Sequence, residues 1–291
     1  MRVLSIHQGS DTGGTGWRLA EAFAHHPTVR LRSTVYSDSY IRYPHDMPWT
    51  EAQREWGRAD VVHLHNSLKT YRLMGGGKPF VLHHHGSYYR KHSEALNRAV
   101  EEYEGRAVVS TLDLLDYGDG LTWCPQSHDL EWLAAFRRSH RGRLRVGHAP
   151  TNRAIKGTEA FLSACAKLDI EPVVVERRPW EECLTIKGMC DIYFDQVELG
   201  YGNNAVEAWG MGIPVIAGAG SGTLARMRDT FGVLPFYEAT EQTIGDAIEA
   251  LMDDETRDEY AAVGRIHVQR WHDGTATREV LTPIYRELAG I

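Results

Sequence analysis

Gly200–Gly218 reads GYGNNAVEAWGMGIPVIAG. A glycine-rich turn leads into a short helix carrying Glu207, and the apolar run Ile213-Pro214-Val215-Ile216-Ala217 follows as a strand. The first amides of a helix have no partner inside the helix, and the helix dipole favours negative charge beside them. Gly202, Asn203 and Asn204 therefore present an anion site. Glu207 lies about one turn further on, within reach of a ligand's hydroxyls. Phosphate at the helix start with a diol beside it is the pattern of a nucleotide sugar.

The 291 residues exceed one average domain, and two domains of roughly 140–150 residues each are expected. The apolar and charged shares, 42% and 24%, are those of a globular chain. No apolar run reaches the ~18–20 residues that span a bilayer, and MRVLSIHQG reads as a buried strand rather than a signal peptide, so a cytoplasmic protein is expected. Cys124, Cys165, Cys183 and Cys190 contain no C-x-x-C pair, which argues against a zinc ribbon or a disulfide framework. The net charge of −7 arises wholly after residue 140, since residues 1–140 hold sixteen Lys and Arg against sixteen Asp and Glu. That half also holds twelve of the fifteen histidines. An acidic total argues against nucleic acid as the main partner. The basic cluster Arg137, Arg138, His140, Arg141, Arg143 and Arg145 reads first as a solvated linker.

Short β-branched runs alternate with helical periodicity along almost the whole chain. Strands are expected at 3–7, 29–35, 61–65, 80–84, 107–110, 144–147, 171–175, 192–194, 214–217 and 232–236. Helices are expected between them, including 93–103, and the last two at 255–270 and 275–289. This alternation predicts an α/β protein with two Rossmann-like domains facing across a cleft. The expected division is residues 1–140 and 141–270. A C-terminal helix in 271–291 would pack back on the first domain.

Several motifs sit where those strands end. GSDTGGTG at 9–16 opens the first helix and brings backbone amides toward a ligand at Gly13 and Gly14. It matches neither GxGxxG nor a P-loop, and a purely structural turn is the competing reading. DVVHLHN and VLHHHG end in histidines. His83, His84 and His85 suggest a metal, but strand side chains alternate faces and no Cys, Asp or Glu stands at ligand spacing, so no metal is expected. His85, at the strand's end, suits a sugar hydroxyl or proton traffic, against the alternative of a satisfied half-buried histidine. GHAPTNRAIKGT at 147–158 repeats strand, loop and helix, and places Arg153 and Lys156 where a leaving diphosphate would need cations. Cations simply solvated on a surface loop are the alternative.

Taken together, these segments resemble glycosyltransferase family 4, retaining sugar transferases of GT-B fold, over nearly the whole chain and in the family's order. Gly13-Gly14 stands at the N-terminal glycine loop, VLHHHG ends in the active-site histidine, His85, and VGHAPTNRAIKGTEAF matches the Lys-Gly helix start. WCPQSHDLEWL resembles the segment preceding the second domain, and Gly200–Gly218 matches the most specific motif. The resemblance implies transfer from a UDP- or GDP-type donor to an acceptor hydroxyl, with His85, Arg153 and Lys156 catalytic. It implies acceptor binding by residues 1–140 and nucleotide-sugar binding by residues 141–270. It also implies donor binding by Gly13, Gly14, Gly202, Asn203, Asn204 and Glu207, the last at the ribose, and no metal or other cofactor. The acceptor could be a glycan, a protein, a lipid-linked sugar or a modified nucleic acid, with Trp49, Trp56, Tyr88 and Tyr89 able to stack on sugar rings. One departure is plain: Leu199 stands where the family has its first glutamate, with Glu198 beside it. A nucleotide-sugar-binding protein without transferase activity, and an epimerase or phosphorylase on the same fold, are the alternatives.

Overall fold

The computed structural model describes the whole chain except Asp38, His140 and Arg141. It divides into unit 1, Met1–His128 with Trp271–Ile291, and unit 2, Asp129–Arg270. The boundary expected between residues 140 and 141 lies outside the described residues.

Unit 1 begins with β1 (Arg2–His7), α1 (Thr15–Phe23), β2 (Arg30–Val35), α2 (Ala52–Arg58), β3 (Val61–His65) and α3 (Lys69–Leu73). It continues through β4 (Phe80–His84), α4 (Gly86–Glu102), β5 (Arg106–Val109) and β6 (Thr122–Trp123). Unit 2 opens with α5 (Leu130–Ala134), β7 (Arg145–His148), α6 (Thr158–Lys167), β8 (Glu171–Val174), α7 (Trp180–Lys187), β9 (Ile192–Phe194) and β10 (Leu199–Gly200). Then follow α8 (Asn203–Gly210), β11 (Val215–Ala219), α9 (Ser221–Phe231), β12 (Tyr237–Glu238), α10 (Ile244–Ala250) and α11 (Asp254–Trp271). The last helix, α12 (Thr275–Ala289), belongs to unit 1.

The first sheet is wholly parallel in the order β2-β1-β3-β4-β5-β6. Parallel strands are covered on both faces, which explains their nearly continuous apolar sequences. Val3, Val61 and Val81 pack with Leu19 and Phe23 of α1 and Leu281 and Tyr285 of α12. Leu4, Val62 and Leu82, one residue out of phase, pack with Leu96, Ala99 and Val100 of α4. The second sheet runs β8-β7-β9-β11 in parallel, β12 takes the other edge of β11, and β10 adds a short antiparallel pairing. Phe161, Ile192, Phe194 and Ile216 form its core with Ile244 and Ile248 of α10.

Each sheet thus reverses its strand order once, between β1 and β3 in unit 1 and between β7 and β9 in unit 2. Such reversals open a crevice at the carboxyl ends of the two strands, where ligands of open α/β sheets bind. Among the elements that differ from the sequence expectation, two have a local cause. Residues 232–236 are not a strand, because Gly232, at φ 81°, turns the chain after α9 and pairing begins only at Tyr237. Helix α4 starts at Gly86, directly behind His85, and breaks at His92 (φ −129°), so the helix expected from residue 93 is its second segment and the first segment is the addition.

Candidate functional site

At the reversal in unit 1, alternation along β1, β3 and β4 puts Ser5, His7, His63, His65, His83 and His85 on the face covered by α1 and α12. His84 points to the opposite face and stacks on Tyr89, with ring centroids 3.8 Å apart. The first group is joined by hydrogen bonds. His65 Nε2 meets Ser5 Oγ at 2.9 Å, and His65 Nδ1 meets His85 Nε2 at 2.8 Å. His63 bridges His83 Nδ1 at 3.1 Å and the Tyr285 hydroxyl of α12 at 2.7 Å. Burial pushes His63 and His84 down to about 3, and it holds His65, His83 and His85 well below the usual imidazole range, assisted by the neighbouring rings. The imidazoles are therefore neutral near pH 7, each with one donor and one acceptor nitrogen. His63, His65 and His83 bring one ring nitrogen apiece to within 4.8 Å of one another, a grouping that spacing in sequence does not disclose.

His85 is placed by Asn66, whose Oδ1 accepts the His85 N–H at 2.6 Å. Asn66 itself sits at φ 56°, a left-handed conformation that asparagine tolerates better than most residues. The glycine loop ahead of α1 is closed internally. Buried Asp11 accepts from the amides of Thr15 at 2.8 Å and Gly16 at 2.9 Å. Gly14 caps the helix at φ 64°, where an added Cβ would lie 2.7 Å from Arg18 and Tyr43, and the Gly13 carbonyl accepts from Arg18. The expected phosphate cradle at Gly13 and Gly14 is thus a helix start whose first amides already face a carboxylate.

At the reversal in unit 2, Lys156 Nζ lies 2.9 Å from Asp195 Oδ1, and Asp195 Oδ2 accepts the Gly202 N–H at 2.6 Å. Asp195 is 1% exposed and directly follows β9, so one buried carboxylate ties the α6 loop to the start of α8. The structure brings Lys156 and Gly202 together, as expected, but through an anion supplied by the chain. Asn204 and Glu207 gather instead around Lys187 of α7. Lys187 Nζ donates to Asn204 Oδ1 at 2.9 Å and to Glu207 Oε2 at 2.5 Å, and Trp180 Nε1 donates to Glu207 Oε1 at 2.8 Å. Asn203 is the first residue of α8. Glu207 is 3% exposed, so the expectation of a carboxylate open to ribose meets a buried ion pair instead. Arg153 stands apart, exposed, bound to Glu159 at 3.1 Å and Glu176 at 2.9 Å.

Sequence reasoning passed over Asp11, Asn66, Asp195, Lys187 and Trp180. Asp195 carried a signal, since it is the residue after a β-strand at a sheet's carboxyl edge. Lys187 and Trp180 lie on a helix that the sequence reading did not anticipate. Of the aromatic residues considered for stacking, Trp56 and Tyr89 are buried in the core, Trp49 packs edge-on against Tyr36, and Tyr88 is exposed. In the basic cluster, Arg137 donates to the carbonyls of Gly188 and Cys190, while Arg143 and Arg145 pair with Asp169 and Glu171. His140 and Arg141 of that cluster lie outside the described residues.

No protein-family model matches this sequence, and no curated protein sequence matches it. Solved structures do. Anabaena HepE in complex with UDP-glucose matches with a TM-score of 0.68 at 14% identity, covering 100% of both chains. Sucrose-phosphate synthase from Thermosynechococcus elongatus matches with a TM-score of 0.67 at 12% identity, again covering 100% of each. A glycosyltransferase from Rickettsia africae follows with a TM-score of 0.64 at 11% identity, covering 99% of this chain and 98% of its own. The fold is therefore GT-B, with the two Rossmann-like units that the strand–helix alternation predicts.

Proposed function

We propose that this chain is a glycosyltransferase that moves a sugar from a nucleoside-diphosphate donor to an acceptor hydroxyl, with retention of the anomeric configuration. The observation that carries this reading is the Lys156–Asp195–Gly202 arrangement at the strand reversal of unit 2. It sets an ammonium group beside a helix N-terminus, the two features that stabilise a departing diphosphate. In the resting protein Asp195 offsets that positive charge. With donor bound, Lys156 would turn part of its charge to the phosphates, and Asp195 would keep it from swinging into solvent.

His85, neutral and fixed by Asn66 and His65, would hydrogen-bond the transferred sugar or the acceptor. Arg153, already engaged by two glutamates, would contribute less than Lys156. The Lys187–Glu207 pair would act at one remove, holding α8 so that its first turn faces the donor. No metal enters this step.

The HepE complexes make UDP sugars the first donors to try. Incubation with UDP-glucose, UDP-galactose and GDP-mannose, water serving as the acceptor, should release nucleotide from at least one donor, and proton NMR recorded before the freed sugar mutarotates should show the donor's anomeric configuration. An inverted product would remove the retaining mechanism, and no release from any donor would remove the transferase. Leu199 and the internal pairing of Glu207 favour a second reading, a nucleotide-sugar-binding protein without turnover. Calorimetric binding of a donor without nucleotide release would establish it.

A further inference from the structure

Unit 1 holds a cavity of about 720 Å³ at the β1/β3 reversal, beginning at His7 and His65 and extending between α3 and α4. Its polar lining includes Gln8, Ser10, Asn66 and Ser67, groups suited to hydroxyls. Leu96 and Ala99 supply apolar surface, and Tyr88 with His92, which stands at the kink of α4, forms an aromatic side, the rings 4.5 Å apart. Among the described residues the charged members of the lining are Lys69 and Arg72, with no Asp or Glu beside them.

Both cations stand on α3 three residues apart, so both heads project from the same side of the helix. Elsewhere arginines of this chain pair with carboxylates, as Arg32, Arg90, Arg145 and Arg153 do. Among the described residues neither Lys69 nor Arg72 has a carboxylate partner, and the contact that Arg72 makes is with the ring of Tyr103. Two cations without carboxylate partners on one side of this polar cavity suit an anion, with Arg72 able to grip two oxygens and Lys69 adding a point charge.

We infer that this cavity seats a hydroxylated acceptor carrying an anionic group, a phosphorylated or carboxylated sugar or polyol, with Lys69 and Arg72 on the anion and the hydroxyls turned toward His7 and His65. The inference rests on the transferase reading for the word acceptor. The anion preference itself stands on the cavity alone, so it is tested by binding without donor. Glucose, glucose 6-phosphate and glucuronate are titrated calorimetrically at low salt into the full chain and into the Lys69→Ala/Arg72→Ala variant, whose altered side chains are exposed.

At least one anionic probe should bind about tenfold more tightly than glucose. That advantage should fall below about threefold in the double variant and shrink in 0.5 M salt. A larger gain for glucose 6-phosphate assigns the subsite to phosphate, and a larger gain for glucuronate assigns it to carboxylate. Equal affinity for all three, or an advantage that survives the double substitution, overturns the inference. UDP-glucose binding is measured on the same samples. If donor binding or nucleotide release fails while the anion preference holds, the transferase reading falls and the subsite remains.

Discussion

The two units share the order of their first parallel strands and place their strand reversals alike, yet they use polarity in opposite ways. Unit 1 builds its edge from neutral imidazoles linked to one another, to Ser5 and to Tyr285, and sets Lys69 and Arg72 in the cavity beside it. Unit 2 builds its edge from ion pairs, Lys156 with Asp195 and the fully enclosed Lys187 with Glu207. Even the helix starts differ. Asp11 caps α1 from four residues upstream, whereas Asp195 reaches Gly202 from the end of a strand and binds a lysine on the way. Uncharged hydrogen-bonding groups suit hydroxyls, and paired charges that can be re-partnered suit a diphosphate. One topology has received two chemistries because the strand ends, not the strand order, carry the functional side chains.

Acid should break this symmetry most strongly. In the unfolded chain each histidine takes up a proton near pH 6.5, whereas in unit 1 burial defers uptake by His63 and His84 to about 3. The unfolded state then binds more protons, so stability is full above pH 6.5 and falls as the pH drops toward 3. At pH 5 each of these two histidines costs roughly 2 kcal/mol. His65, His83 and His85 add to the loss in unit 1, whereas in unit 2 His148 is pushed down only to about 4. Hydrogen exchange followed by mass spectrometry between pH 7.5 and 5 should show the first sheet opening before the second. Equal protection loss in both units would contradict the neutral-imidazole account.

Glu207→Ala comes next. It leaves the Lys187 ammonium buried without its carboxylate, a change that typically costs 3–5 kcal/mol, about what urea unfolding should report. Replacing both partners, Lys187→Met with Glu207→Leu, should recover most of that loss, because an apolar pair incurs no charge desolvation. If the double variant is as unstable as the single one, the pair is not what makes Glu207 necessary for folding.

Lys156→Met, assayed on folded protein, should lower the rate of nucleotide release by roughly 10²–10³. Arg153→Ala should change stability by less than about 1 kcal/mol, as expected of an exposed pair, and slow release less than the lysine variant does. A larger rate loss for Arg153 would reverse the assignment of the two cations.

Local signals made most of the scaffold legible. β3, β4 and β9 fall where β-branched runs place them, and α12 spans the residues that its periodicity indicates. Gly14 and Gly157 cap their helices at φ 64° and 65°, so the glycine loops were recognisable as helix starts. The contents of those loops were not legible, because a glycine loop looks the same whether its amides await a ligand or already face a carboxylate. Glu207 shows the limit most clearly. Its place one turn into α8 can be read from the sequence, but its partners Trp180 and Lys187 lie 27 and 20 residues away on α7. Their proximity is a product of packing.

The sequence by itself determined the strand–helix alternation, the two-unit architecture and the positions at which chemistry could occur, because these follow from periodicity and backbone preference within a few residues. Only the tertiary structure decided which charges are cancelled and which are not. Pairing of Lys156 with Asp195, neutrality of the buried histidines, and the lack, among the described residues, of a carboxylate partner for Lys69 and Arg72 depend on burial and on neighbours distant in sequence, and charge energetics are set by both.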